Sequence, residues 1–315
     1  MKAVTSSPSP AVIIRHGRQF HKTGSNYGLP NDEGEYTRLN YQNDALKMML
    51  GANYSAPLKH LNSGEGPLDV LDVASGSGIW VMEIAHEFPK ARVVGMDMSE
   101  PEALGGNIPP NASFVIADIT RKFPFEDQSF DVVQMRIVPS IHERTLIYKE
   151  IHRVLRPGGL IQLVEPSPHT SRVGCNPPAM DETDRAIIRC GHKSETNEAA
   201  TQQRKGSGDQ DWSMGNRIAS DLRDAPWMWT SIHETIVIVP IGVWTQDEIS
   251  REAGRLMQHC AVELIKGFRP NLIDDARFTG EEVDGMISRL TNELEDGSRW
   301  QLEAPFHFIW AAKAC

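Results

Sequence analysis

Residues 70–80, with the sequence Val-Leu-Asp-Val-Ala-Ser-Gly-Ser-Gly-Ile-Trp, decide the fold of the chain. The apolar start of this stretch predicts a buried strand, and the small residues after it predict a sharp turn into a helix. Gly76 and Gly78 lack a Cβ atom, so the backbone can adopt positive φ and a ligand can approach closely. The start of the helix points free N–H groups at any anionic group above the turn. The stretch therefore predicts a nucleotide-cofactor turn.

Two kinds of cofactor site compete for this turn. A nicotinamide or flavin site has the pattern G-x-G-x-x-G, whose third glycine lets the helix pack closely on the strand. Counted from Gly76, that third position holds Val81, which disfavours this class. Asp72 lies inside the strand, and the pattern D-x-small-x-G-x-G resembles motif I of the class I S-adenosylmethionine (SAM) methyltransferases. Ala74 replaces the first glycine of that motif, a position that a small residue can fill.

Length and composition are those of an ordinary globular protein. The 315 residues suffice for one large α/β domain, and 40% of them are hydrophobic. The formal net charge of −10 disfavours a nucleic-acid substrate, because an enzyme acting on DNA or RNA needs a basic surface. The four cysteines form no C-x-x-C pair, which argues against a zinc site or a disulfide framework. We expect no metal and a reducing compartment.

We expect neither a signal peptide nor a membrane span. The first ten residues of the chain lack the apolar core of a signal peptide, and no apolar run reaches the ~20 residues of a membrane span. We therefore expect a cytoplasmic protein without membrane contact, or a nuclear one if its role is regulatory. Residues 1–35 are rich in Ser, Pro, Gly and Asn, with one short apolar run at 12–14, and predict a flexible segment.

A helix is predicted to follow, from about Tyr36 to the stop signal at Gly51. It can pack on the edge of the sheet. Alternatively, it is a lid whose Arg38 or Gln42 reaches the carboxylate of a cofactor. The sequence leaves both interpretations open.

Two further acidic residues end predicted strands. Residues 91–99 predict a second strand, and its Asp97 lies about twenty residues beyond the glycine turn, the spacing at which a carboxylate meets ribose hydroxyls in Rossmann-like folds. A carboxylate can accept from both hydroxyls, although a solvated aspartate at a strand end is the alternative. Residues 114–119 predict a third strand that contains Asp118. A fourth strand ends at Arg136, and strands and helices continue to alternate, as in a parallel sheet with right-handed crossovers.

Taken in order, the motifs resemble those of class I SAM-dependent methyltransferases. They are motif I, VVGMDMS (93–99), ADIT (117–120), FPFEDQSFDVVQMR (123–136) and YKEIHRVLRPGGLIQLVEP (148–166). Residues 29–50 and 78–99, with PIGVW (240–244) and EAGRLMQ (252–258), are similar to the fungal LaeA/UMTA-like group. The resemblance covers roughly residues 28–313. It implies SAM as cofactor and S-adenosylhomocysteine as product.

The resemblance also implies the architecture and the cofactor contacts. We expect an α/β, Rossmann-like, seven-stranded sheet, mostly parallel with the last strand antiparallel, in one domain over residues 36–315. Helical cap insertions are expected at about 167–231 and 241–304. In the family pattern, Asp118 receives the adenine amino group and the next backbone N–H completes the contact. The predicted cofactor-binding residues are Arg38, Gln42, Asp72, Ala74, Gly76, Gly78, Asp97, Met98, Asp118, Ile119 and Arg136.

Three residues are candidates for a catalytic base. A hydroxyl acceptor needs a base that titrates near the working pH, which suits histidine best. His142 follows the fourth strand, while Glu165 and His169 follow the fifth at the same edge of the sheet. Each can equally be a surface or capping residue. The segment 136–139, Arg-Ile-Val-Pro, lacks the N/D-P-P-Y/F/W signature of amino-nucleobase methylation.

Three functions from different classes follow. The first is methylation of a small molecule, a fungal secondary metabolite, with oxygen favoured over nitrogen or carboxylate as the methylated atom. The second is a SAM-binding, LaeA-like regulator that works through protein partners. The third, a nicotinamide oxidoreductase, is disfavoured by Val81 and Asp72. The expected partner is a small-molecule acceptor, with neither nucleic acid nor membrane, and the oligomeric state stays open.

Overall fold

A computed structural model describes residues 12–21, 27–61, 66–101, 108–138, 144–191 and 214–314 of the chain. The strands are β1 (Val12–Arg15), β2 (Arg18–His21), β3 (Asp69–Val73), β4 (Arg92–Asp97), β5 (Ala112–Ile116), β6 (Phe130–Arg136), β7 (Leu155–Pro166), β8 (Thr170–Ser171), β9 (Trp229–Ile241) and β10 (Leu302–Lys313). The helices are α1 (Glu33–Leu50), α2 (Leu58–Leu61), α3 (Ile79–Glu87), α4 (Thr145–Val154), α5 (Pro178–Gly191), α6 (Met214–Arg223), α7 (Glu248–Asp274), α8 (Gly280–Glu295) and α9 (Gly297–Trp300). Within the described ranges, none of these helices has the length and apolarity that a membrane span requires.

The central sheet has the strand order β5-β4-β3-β6-β7-β10-β9. Strands β3 to β7 run parallel, and β10 runs antiparallel to its neighbours β7 and β9. Leu302 pairs with Ile241 on one side and with Ser171 on the other, so the short β8 extends the edge of β10 that β7 occupies. The predicted mostly parallel sheet with an antiparallel last strand is confirmed, and the two-residue β8 brings its seven predicted strands to eight.

Helices cover both faces of this sheet. Because side chains alternate along a strand, each face has its own core. Helices α4 and α6 pack on one face, around Met135, Leu163 and Ile309. Helix α3 packs on the other face, around Val70 and Leu160. Helices α1, α5, α7 and α8 continue that second face across β9 and β10. Because the parallel strands are buried on both faces, their sequences are nearly continuous apolar runs, and these runs predict the strands.

The C-terminal elements are long. Strands β9 and β10 pair along nearly their whole lengths. Helix α7 runs to Asp274 through Pro270. Leu272, beyond this proline, is fully buried, so tertiary packing offsets the local cost of the proline.

The N-terminal segment contains structure where a flexible segment was predicted. Residues 12–21 form a β-hairpin whose two-residue turn, His16 and Gly17, has positive φ at both positions. This is the turn geometry that matches the twist of paired strands. Arg15 ties the hairpin to α7, because its guanidinium donates to Asp274 at 2.8 Å and to Asn271 at 2.9 Å. The hairpin is thus part of the folded domain.

Candidate active site

A cavity lies where β3, β4 and β6 end, with an empty volume of about 1210 Å³ that includes its mouth. From β3 the chain continues to β4 and β5 on one side and returns to β6 on the other, so the cavity sits at a topological switch point, where α/β sheets bind ligands. One wall is built by the loops after the strands. A second wall is formed by residues that precede the sheet in the chain, namely His21 and lining residues between Tyr27 and Asn43.

The turn after β3 forms the floor of the cavity. Ala74, Gly76 and Gly78 have φ of 60°, 55° and 77°, and Gly78 is the N-cap of α3. A Cβ atom on Gly76 would lie 2.9 Å from Cδ1 of Leu39 in α1. The missing side chain at Gly76 therefore lets α1 pack directly over the turn. Ala74 and Gly76 line the cavity, whereas Gly78 is not among its lining residues.

Asp97 joins the end of β4 to this turn. Its Oδ2 accepts from the backbone N–H of Gly76 at 2.9 Å, and its Oδ1 accepts from the N–H of Ser99 at 3.1 Å. Burial raises the pKa of Asp97, while these backbone donors oppose the rise. Asp97 and Met98 both line the cavity. The carboxylate is therefore fixed at the wall, as recognition of a hydroxyl-bearing ligand requires.

Asp118 and Ile119 lie on the same wall, after β5. The Asp118 carboxylate accepts from the backbone N–H of Thr120 at 2.9 Å and from its hydroxyl at 2.7 Å. Burial alone would raise the pKa of Asp118, but these hydrogen bonds hold it below the usual value. Asp118 is therefore an ionised acceptor at neutral pH.

Asp72 is the buried charge of the site. Burial raises the pKa of its carboxyl to about 7, although the Arg136 guanidinium opposes the rise. Its Oδ1 and the nearby hydroxyl of Ser75 are buried and have no hydrogen-bond partner among the described residues. Arg136 also lines the cavity, and burial lowers the pKa of its guanidinium. These orphaned polar atoms on the wall indicate that a polar ligand completes their hydrogen bonds.

Helix α1 contributes to the second wall of the cavity. Of its two predicted contact residues, Arg38 and Gln42, only Gln42 lines the cavity. Leu39 and Glu35 line it as well. Arg38 is not a lining residue: its guanidinium donates to Glu35 at 2.6 and 2.9 Å and is 5% exposed. Helix α1 is thus a wall of the cavity. The donors that Arg38 would offer a cofactor carboxylate are directed at Glu35.

Of the three predicted bases, Glu165 and His169 are not among the described lining residues of the cavity. His142 lies outside the described residues. Glu165 is fully buried on the other side of the loop after β6, where its Oε1 accepts from the backbone N–H of Val138 at 2.9 Å and from Arg144 at 2.7 Å. His169 faces Asp184, with 3.5 Å between Nε2 and Oδ2, and neither residue lines the cavity. A base must reach the proton that it removes, so this geometry does not favour Glu165 or His169.

The N-terminal segment contributes lining residues that no motif in the sequence indicated. His21, at the end of β2, lines the cavity together with Tyr27, Asn31 and Tyr36. Nε2 of His21 lies 3.3 Å from the hydroxyl of Ser99, which also accepts from Asn31 at 3.1 Å. Burial lowers the pKa of His21, so its imidazole is neutral at neutral pH. The only signal for this contribution was the short apolar run at 12–14, which marks β1.

Within the described part of the chain, no group of three or more His, Cys, Asp or Glu side chains is placed to hold a metal ion. The polar groups of the cavity are instead spread over three neighbouring strand ends. This spread suits an extended organic ligand with several hydrogen-bonding groups.

Comparisons with known proteins place the chain near methyltransferases in sequence. Residues 70–159 match the family described as "Methyltransferase domain". The chain is 26% identical over 314 residues to methyltransferase pytC of Aspergillus terreus, covering 96% of this chain and 88% of that protein. It is 32% identical over 165 residues to the secondary metabolism regulator laeA of Coprinopsis cinerea, covering 50% and 40%. Among solved structures, phosphoethanolamine N-methyltransferase 2 of Haemonchus contortus, in complex with phosphomonomethylethanolamine and S-adenosylhomocysteine, has 17% identity and a TM-score of 0.44 over 94% of this chain and 62% of that one.

Proposed function

We propose that this SAM-dependent methyltransferase methylates a small, uncharged acceptor at oxygen. One observation carries the proposal. The cavity has one wall of carboxylates at three strand ends, and a second wall, from residues before the sheet, with Tyr27, Tyr36 and a neutral His21. The first wall suits a cofactor with hydroxyl and ammonium groups. The second suits an acceptor with an apolar or aromatic body.

The residues on the first wall fit SAM. Asp97 would accept from ribose hydroxyls, and Asp118 with the N–H of Ile119 would hold the adenine. The orphaned Oδ1 of Asp72 would accept from the ammonium group. Arg136 and Gln42 would face the carboxylate, and Met98, Ala74 and Gly76 would pack against the cofactor.

When bound, SAM would supply an electrophilic methyl group on a sulfonium, so the protein has to position the acceptor and exclude water. Helix α1 and the segment before it perform the second task, because they cover the strand ends. His21 is the one histidine among the described lining residues. As a neutral imidazole, it would take the proton from an acceptor hydroxyl. His142 remains a prediction from the sequence.

The acceptor class follows from charge. Once Asp72, Asp97, Asp118 and Arg136 face the cofactor, the remaining charged lining residue is Glu35, which Arg38 neutralises. An uncharged acceptor therefore avoids an uncompensated buried charge. The carboxylates and the net charge of −10 disfavour a polyphosphate such as nucleic acid. The similarity to pytC supports a secondary metabolite as acceptor.

The test is transfer of a labelled methyl group from SAM to matched panels of neutral phenols, benzoic acids and amines. The proposal expects turnover with the phenols, loss of turnover in their O-methylated forms, and at least a tenfold preference over the acids, roughly 1.4 kcal/mol. Preference for the amines would instead favour N-methylation.

The similarity to laeA of Coprinopsis cinerea favours a second candidate, a SAM-binding regulator that works through protein partners. The two candidates differ in where the label appears. A regulator that methylates protein would label polypeptides of a fungal extract and no small molecule, whereas the proposed enzyme would label the small-molecule fraction.

A further inference from the structure

Three buried polar side chains form a straight row across the sheet. Asp72 on β3 pairs in register with Gln134 on β6, and Gln134 pairs with Gln162 on β7. Their exposures are 2%, 1% and 0%. Neighbouring positions in register place their side chains on the same face. Polar groups this deeply buried persist only when their hydrogen bonds are made, so the row needs an explanation.

One end of the row is anchored by backbone. Oε1 of Gln162 accepts from the N–H of Ser55 at 2.8 Å and from the N–H of Ala56 at 3.0 Å. Two backbone donors can face only an oxygen, so this contact fixes which end of the Gln162 amide points to the loop. The other end, Nε2, must then point along the row, and it donates to Oε1 of Gln134.

The same logic fixes the second amide. Because Oε1 of Gln134 receives Nε2 of Gln162, the remaining group of Gln134 is its Nε2, a donor. This Nε2 has no hydrogen-bond partner among the described residues, but Gln134 is the register neighbour of Asp72, and its amide lowers the pKa of that carboxyl. A reversed amide would set an oxygen against the carboxylate and favour its protonated form. The direction of the row therefore bears on the charge of Asp72.

The pKa of Asp72 lies so near neutral pH that one polar contact can change the ionised fraction of its carboxyl. Burial raises the pKa of Asp72 to about 7, and Asp97 adds to the rise. Arg136 and Gln134 oppose it. Among the described residues, Asp97, Arg136 and Gln134 are the charged and hydrogen-bonding groups that shift the pKa of Asp72. With the midpoint near neutral pH, a small change in any of them changes the ionised fraction.

We propose that Gln162, anchored by the backbone of Ser55 and Ala56, is a positioning residue that orients the Gln134 amide so that Asp72 stays ionised for a cationic ligand. The inference rests on the proposed function, in which Asp72 receives the ammonium group of the cofactor. Gln162 lies two strands away from Asp72 and is not among the lining residues of the cavity, so it would act on the cofactor only through Gln134 and Asp72.

The test compares two ligands over pH 6 to 9 by calorimetric titration. S-adenosylhomocysteine carries the ammonium group, whereas 5′-methylthioadenosine has the same nucleoside without it. Gln162→Glu is nearly isosteric, but when it is ionised its second oxygen can only accept, so the Gln134 amide must turn over. Gln162→Met removes the polar group altogether. Ser55→Ala keeps both backbone donors and removes only the longer contact of the Ser55 hydroxyl, 3.4 Å from Oε1 of Gln162, so it is the matched control.

We expect the affinity of the wild type for S-adenosylhomocysteine to fall as pH drops through the pKa of Asp72. In Gln162→Glu this midpoint moves up by about one pH unit, with roughly tenfold weaker binding near neutral pH and recovery in alkali. Gln162→Met moves it in the same direction. The affinity of Ser55→Ala for S-adenosylhomocysteine stays within about twofold of the wild-type value, a difference close to 0.4 kcal/mol. The affinities of all variants for 5′-methylthioadenosine stay within the same range.

An unchanged midpoint in Gln162→Glu overturns the proposal. So does an equal loss of both ligands at every pH, because it would mean that the row only maintains the fold. Failure of both ligands to bind the wild type would overturn the proposed function itself, which separates the two failures.

Discussion

The backbone N–H of Gly76 donates to Oδ2 of Asp97 at 2.9 Å, so the turn after β3 and the acid at the end of β4 form one unit. The two residues are 21 positions apart, and parallel pairing of β3 with β4 brings them together. Asp97 uses one oxygen to hold the turn and another to hold Ser99, and still faces the cavity. The same carboxylate thus shapes the floor of the site and is available to a ligand.

Removing this carboxylate should weaken cofactor binding. We expect Asp97→Asn to lower the affinity for S-adenosylhomocysteine by about 10- to 100-fold, since a charged hydrogen-bonding group contributes roughly 1.5–3 kcal/mol. Calorimetric titration measures it, with the exposed Asp127→Asn as control. Unchanged affinity would refute the ribose assignment of Asp97.

The close approach of α1 to Gly76 makes a stability prediction. Gly76→Ala introduces strain at positive φ and places a Cβ atom 2.9 Å from Leu39. Gly158→Ala, at φ 74° with open space around it, introduces the strain alone, about 1–2 kcal/mol. Urea denaturation should show a larger loss of unfolding free energy for Gly76→Ala. The excess should shrink when Leu39 is also changed to Ala; equal losses in the two single variants would contradict this packing.

His21 is predicted to act as the base. Its neutral imidazole accepts the proton, so kcat should rise with pH through the pKa of His21, which burial places below the usual value, and stay level above it. His21→Gln should lower kcat by about 10²–10⁴-fold and abolish this limb of the pH profile. His60→Gln, outside the cavity lining, is the control. A wild-type pH profile in His21→Gln would remove His21 from the mechanism.

Glu165 and Arg144 are predicted to hold the loop after β6. Glu165 accepts from the N–H of Val138, and Arg144 donates to the carbonyl oxygen of Val138 at 2.6 Å. The pair thus binds both backbone polar groups of a residue that lines the cavity. Arg144→Met should cost roughly 3–5 kcal/mol of unfolding free energy, because it leaves a buried carboxylate without its cation.

Glu165→Gln separates this positioning role from catalysis. It keeps an acceptor for Val138, so we expect reduced thermal stability with an unaltered shape of the pH–kcat profile. Loss of a titrating limb in Glu165→Gln would restore Glu165 as a base.

The sequence predicted the sheet and the strand-end acids because both are local signals. Buried parallel strands appear as apolar runs, and the acids of Asp72, Asp97 and Asp118 stand at fixed places within or after them. Parallel strands end at one edge, so these residues had to meet. Asp97 and Asp118 could therefore be placed without any knowledge of tertiary contacts.

The remaining features depend on contacts between distant segments. The hairpin that carries His21 is held by Arg15 on Asp274, 259 residues away, and no local pattern encodes that pair. Glu165 stands at the expected strand end, but strand alternation turns it to the α6 face, where a Cβ atom on Gly215 would lie 2.9 Å from its backbone oxygen. The row from Asp72 to Gln162 becomes visible only once the register of three strands is known.

The most direct test of the account is calorimetric titration of the wild-type protein with S-adenosylhomocysteine, with NADPH and the Asp97→Asn variant in parallel. We predict that the wild type binds S-adenosylhomocysteine with a dissociation constant on the order of micromolar. Asp97→Asn should lose most of this affinity, and NADPH should not bind. Binding of NADPH, or S-adenosylhomocysteine affinity that is the same in Asp97→Asn, would contradict the assignment of this cavity to a methyl-donor cofactor.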